Sequence, residues 1–203
     1  MMSPACTLSD LIRPAMGARH ATLLRDFILV IAGSLIVAVC AKLQAPSWPV
    51  PVTLQPFAVL LVGAALGSRR GSLAILAYLA EGASGLPVFA TAPFGGAAYL
   101  LGPTAGYLFG FVPAAFVVGL LAERQWDRRF VSTLAAMAIG QSIILACGFA
   151  WMAVGIGAKT AFATGVAPFI VGDCLKIALA AVALPGAWRI LRMMSASTEQ
   201  REE

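Results

Sequence analysis

From Gly82 to Ala122, and again from Phe130 to Ala158, the chain carries no aspartate, glutamate, lysine, arginine or histidine. Runs that long and that apolar leave nothing to face water. At about 1.5 Å per residue, roughly 20 apolar residues cross the hydrocarbon core of a bilayer, about 30 Å thick, so the runs predict membrane-spanning helices. Of the 203 residues, 60% are hydrophobic and 11% charged, against roughly 25% charged in a soluble domain. The predicted class is an all-α, polytopic integral membrane protein with a single membrane domain.

Six spanning helices are predicted. A polar leader, residues 1–25, comes first and lacks the cleavage pattern of a removable signal peptide. The membrane domain covers 26–193. Helix one runs from Asp26 through FILVIAGSLIVAVCAKL, helix two over Leu54–Gly67, and helix three from Gly71. Helix four covers Thr104–Ala122, helix five Phe130–Val154 and helix six Gly165–Trp188. Residues 194–203 are polar and predict a disordered cytoplasmic tail. The connector GLPVFATAPFGGAAYLLGP is too irregular for a lipid-facing helix and too apolar for a surface loop. Non-helical backbone persists at membrane depth only against protein or a water-filled cavity, so residues 84–102 are expected to cap something.

Orientation follows from the arginines. They fall in the leader (Arg13, Arg19, Arg25), the turn between helices two and three (Arg69, Arg70), the loop between helices four and five (Arg124, Arg128, Arg129) and the C-terminal end (Arg189, Arg192, Arg201). Lys42 and Lys159 alone mark the other side. Basic residues collect on the cytoplasmic side, which puts both termini inside and three nearly uncharged connectors outside. The net charge of +5 forms no basic block interleaved with aromatics, so nucleic acid is not a predicted partner. Glycines at every fourth place (Gly102, Gly106, Gly110; Gly63, Gly67, Gly71) let helix backbones approach closely. That spacing favours tight packing within one subunit over a dimer face.

Several chemistries are excluded. Cys6, Cys40, Cys147 and Cys174 form no CxxC and suit packing. The one histidine, His20, lies in the leader, so GASG (82–85) has no base to activate its serine. GAKT (157–160) resembles a phosphate loop, but Ala153 and Ala158 replace its glycines. No enzyme, metal site or ATP-hydrolysing machinery is expected.

The stretch GDCLKIALAAVAL (172–184) places Asp173 and Lys176 on one helix face within an apolar run. Counted from Gly165, they lie about 12 and 16 Å along the axis, where a lysine costs about 2.5–3.5 kcal/mol. Three readings stay open: a ligand site offering a cation to a carboxylate and an acceptor to N–H groups, a self-neutralising pair, or a proton relay. Gln55, Glu81, Tyr99, Tyr107 and Gln141 share the outer half and could complete a pocket or serve as interfacial anchors.

The strings VPVTLQPFAVLL (50–61), YLAEGASGLPVFA (78–90), GGAAYLLGPTAGYLFGF (95–111) and GDCLK (172–176) resemble the BioY family, the substrate-binding S components of energy-coupling-factor (ECF) biotin transporters. The resemblance runs from about residue 27 to 190. It implies six helices with both termini inside, and biotin captured near the outer face as a transported ligand with no cofactor. It also implies a transmembrane coupling subunit and paired ATPases as partners in a bacterial plasma membrane. It implies biotin contacts at Asp173 and Lys176 and extends to Gln55, Glu81, Tyr99 and Tyr107. A small-residue docking face on helix one is implied as well, its nearest equivalent here being Ser34-xxx-Ala38. An S component for another anionic vitamin and a structural membrane protein with an inert ion pair are the alternatives.

Overall fold

The computed structural model describes residues 7–8, 19–45, 50–90 and 96–202. Cys6, Arg13 and the side chain of His20 fall outside them. Helix α1 (Arg19–Lys42) starts inside the expected leader. Asp26 does not end its apolar run, because the carboxylate is neutralised by Arg25 at 2.8 Å and by Arg70 at 3.1 Å. A two-residue antiparallel ladder, β1 (Gln44–Ala45) with β2 (Val52–Thr53), follows; the sequence gives no sign of it.

Helices α2 (Gln55–Leu66) and α3 (Ser68–Ala83) form a hairpin. At the corner Gly67 has φ +85°, a conformation glycine adopts without the penalty other residues meet. The chain reverses tightly enough for Gly71 to pack on the Gly63 backbone. The basic SRRG stretch, expected as the turn, is the first turn of α3. Helices α4 (Ala105–Glu123) and α5 (Phe130–Ile156) match the predicted fourth and fifth spans.

The predicted sixth helix is two pieces. A short helix α6 (Ala158–Gly165) is followed by a turn over Ala167–Phe169, and α7 begins at Ile170. Pro168 in that turn has no N–H to continue the ladder of α6. Asp173 therefore sits in the first turn of α7, not about 12 Å along a helix. The backbone of α7 stays helical to Glu202, through the stretch expected as a disordered tail; Ala196, Glu199, Gln200 and Arg201 are good helix formers.

Among the described residues, α1, α4, α5 and the α6–α7 run are long and apolar enough to cross a membrane. Helix α2, at 12 residues, is roughly 18 Å long and short of the core. Its N-terminus thus ends within the bundle, where a cavity can form. Helix α4 is central and packs on α2, α3 and α5. The glycine repeats are used inside the chain: Gly106 and Gly110 receive Cys147 and Trp151 of α5, and Gly63 lies on the backbone of Ala115. Large apolar side chains such as Val154, 92% exposed, Phe27, Val131 and Val182 cover the outside, which suits lipid and not water.

The docking face implied at Ser34-xxx-Ala38 is not at the surface. Ser34 is 0% and Ala38 9% exposed; Ser34 faces α3, where its hydroxyl donates to Glu81. Around these positions the exposed side chains of α1 are Leu35, Ile36 and Val39. Small side chains here bring α1 against α3 of its own chain.

Candidate binding site

A buried polar cluster ties three separate parts of the chain together. Asp173 of α7 is 3% exposed and accepts two charged or polar donors: Lys176 Nζ at 3.1 Å and Gln141 Nε2 of α5 at 2.6 Å. Lys176 also donates to the carbonyl of Thr53 at 2.8 Å. That carbonyl belongs to the non-helical segment before α2, and a buried carbonyl without a partner would be costly. The first turn of α7 adds the positive end of a helix dipole beside the Asp173 carboxylate. The pair is turned into the bundle, bonded to Gln141 and to the Thr53 carbonyl.

Above Asp173 lies a cavity lined by Gln55, Tyr99, Tyr107, Phe111, Gln141 and Phe169, with Thr53 at its edge. It encloses ≈ 40 Å³, room for a few waters and too little for a ring system. Among the described residues, Val50, Pro51, Ala90 and Tyr99 form its roof. It is fastened at one end of α1: Lys42 donates to the Phe89 carbonyl, and Gln44 Nε2 to that of Ala90 at 3.0 Å. Phe89 stacks on Tyr99 with centroids 4.6 Å apart and meets Tyr78 edge-on at 5.6 Å. Its ring fills the space a side chain would occupy at Gly82. Among the described residues, two hydrogen bonds and the Phe89 ring contacts hold this roof.

Of the residues singled out in the sequence, Asp173, Gln55, Tyr99, Tyr107 and Gln141 converge on this cavity. Gln55 donates to the Tyr78 hydroxyl at 2.7 Å and accepts from Thr53 Oγ1 at 3.4 Å. Tyr107 presents its ring to the cavity while its hydroxyl donates to the Gly165 carbonyl at 2.5 Å, joining α4 to the end of α6. Lys176 stands behind Asp173 rather than in the wall. Glu81 is not among the residues lining the cavity. It turns away to Ser34 at 2.8 Å, because position 81 lies on the face of α3 opposed to α1. Thr53, Tyr78, Phe111 and Phe169 went unremarked in the sequence. Thr53, Tyr78 and Phe111 lie inside the quoted strings, beside Gln55, Glu81 and Tyr107, which is the available signal; Phe169 resembles any core aromatic.

The arrangement offers a compact acceptor–donor pair, an amide and flat apolar walls, which suit a small cyclic solute with adjacent N–H and C=O groups. A family model described as the BioY family matches residues 12–193. A biotin transporter BioY of Thermotoga maritima is 43% identical over 148 residues, spanning 72% of this chain and 86% of the relative. A biotin transporter BioY of Rhodobacter capsulatus is 44% identical over 143 residues, 63% of this chain and 73% of that one. In shape the chain is similar to a crystal structure of the S-component for biotin from an ECF-type ABC transporter. The TM-score is 0.71 at 24% identity, with 85% of this chain and 95% of that chain covered.

Proposed function

The chain belongs to the BioY family, and from that premise we propose that it captures biotin from the outer side of a bacterial plasma membrane. In this reading it delivers the vitamin together with an ECF coupling subunit and paired ATPases, since the chain has no phosphate loop of its own. The observation that carries the reading is the Asp173–Lys176–Gln141 cluster beneath an aromatic-walled cavity.

Biotin has a carboxylate at one end and a cyclic urea at the other. Because Asp173 and Lys176 are 3.1 Å apart, one end of the ligand meets both. A urea edge presents an N–H beside a C=O, matching a carboxylate acceptor beside an ammonium donor. The Asp173 carboxylate accepts the N–H, Lys176 turns from the Thr53 carbonyl into the wall to donate to the urea oxygen, and Tyr99, Tyr107 and Phe111 wall the rings. The carboxylate end then points to the roof. This redistributes the roles expected from the sequence, where Lys176 faced the carboxylate. The described parts of the expected cap, 84–90 and 96–102, cover the cavity; residues 91–95 lie outside the described residues.

Equilibrium binding of radiolabelled biotin to the purified protein tests the proposal, with biotin methyl ester and a urea-N-methylated biotin as competitors. Saturable binding that tolerates the ester better than the methylated urea is expected. No saturable binding would sink the biotin reading. Stronger rejection of the ester would return Lys176 to the carboxylate.

A further inference from the structure

The opposite end of the bundle holds a second hollow, of ≈ 640 Å³, between the α4–α5 turn and α7. Arg124, Arg128 and Arg129 line it from the turn and Arg189 from α7, with Trp126 and Ser132 beside them. Its base is built rather than incidental. Trp188 is 1% exposed and donates Nε1–H to Asp127 at 2.5 Å. The Arg128 guanidinium lies 4.4 Å over the Trp188 ring. The two carboxylates of the same turn are committed elsewhere: Asp127 to Trp188, and Glu123 to the Ser68 N–H and hydroxyl at 2.7 and 2.8 Å. Among the described residues, Arg124, Arg129 and Arg189 have no carboxylate partner within 4.0 Å.

Like charges drawn into one concavity repel unless an anion sits among them. We propose that this hollow binds the phosphate head group of an anionic lipid in the cytoplasmic leaflet. Guanidinium forks match phosphate oxygens two at a time, and basic pockets at the cytoplasmic rim of helices suit such head groups. A lipid is favoured over a soluble phosphate because exposed apolar side chains flank the arginines on both helices. Phe130 and Val131 follow Arg129, and Ile190 follows Arg189. Trp126, exposed at the same rim, is a residue type that settles at head-group depth. The proposal stands apart from the biotin reading, since it concerns the other end of the molecule.

Native mass spectrometry of the purified protein with phosphatidylglycerol or phosphatidylcholine added in equal amounts tests it, alongside Arg124→Gln/Arg189→Gln and a thermal melt of each. The wild type is expected to retain phosphatidylglycerol at least tenfold over phosphatidylcholine. The double variant should melt cooperatively and lose about fivefold of that preference per arginine. Inorganic phosphate at matched concentration should leave the bound lipid in place. Displacement by inorganic phosphate overturns the lipid assignment in favour of a soluble anion. No preference in the wild type overturns it too and leaves the hollow to an acidic protein surface. An equal preference in a folded variant overturns the assignment to these arginines. If the variant does not melt cooperatively, Arg189→Gln alone carries the same test.

Discussion

The two ends of this bundle are built from the same small-residue helices and do opposite things. At the inner end helices touch through bare backbone. A side-chain carbon at Gly119 would lie 2.4 Å from the Ser68 nitrogen, and one at Gly63 2.7 Å from the Ala115 carbonyl oxygen. At the outer end α2 starts late, and the space it leaves is held open by Gln55, Gln141, Asp173 and aromatic rings. Lipid supplies no hydrophobic push between helices, so close backbone contact holds the inner end together. The lesson is a division of labour: a rigid floor of fused backbones supports a roof held by a few replaceable contacts.

The largest effect should come from breaking the floor. Gly119→Leu meets backbone of Gly67 and Ser68 that cannot move aside, which costs about 3 kcal/mol or more. We expect aggregated protein on size exclusion; a monodisperse variant with the parent melting temperature would show the inner end to be as adaptable as the outer.

Next comes Lys176→Met, which leaves the Asp173 carboxylate with only Gln141 and strips the Thr53 carbonyl of its donor. Biotin affinity should fall by more than about 2 kcal/mol, as for one member of a buried charge pair. Calorimetric titration checks it, and unchanged affinity would detach the lysine from the site.

The smallest effect tests whether a buried carboxylate without a ligand is simply a burden. Burial pushes the Asp127 carboxyl above its ordinary 3.8, against the smaller pull of the Trp188 hydrogen bond. A carboxyl raised in the folded state contributes stability that is whole below its unfolded value and lost as pH rises through the folded one. Asp127→Asn keeps an acceptor for Trp188 and removes that loss. Its melting temperature should exceed the parent's at pH 8 by a few degrees, with the gap closing toward pH 4. A constant gap would mean the carboxyl does not titrate in this range.

How much of this was legible in the residues differs between the ends. Long apolar runs predict α1, α4 and α5, and the arginine distribution orients them, because both signals are additive along the chain. The glycine spacing predicts internal packing, since close approach needs the absence of a side chain on one strip. The α6–α7 break was hidden: Pro168 sits in an apolar run whose hydropathy does not change across it. Glu81, grouped with the site by depth and by the resemblance, is not in the cavity's lining and meets Ser34 of α1. Depth is one coordinate, and which neighbour a helix face meets is another that spacing within one helix cannot supply. The Lys176–Thr53 contact spans 123 residues and has no local trace.

That last contact has a mechanical meaning. Lys176 ties the strand that leads into the roof to Asp173 in the cavity wall, so in the biotin reading the same ammonium would be both sensor and latch. A guest that draws the ammonium toward itself slackens the outer hairpin, and a hairpin pulled back into place returns the ammonium. In that reading, occupancy of the chamber would reach the β1–β2 hairpin through one flexible four-carbon tether.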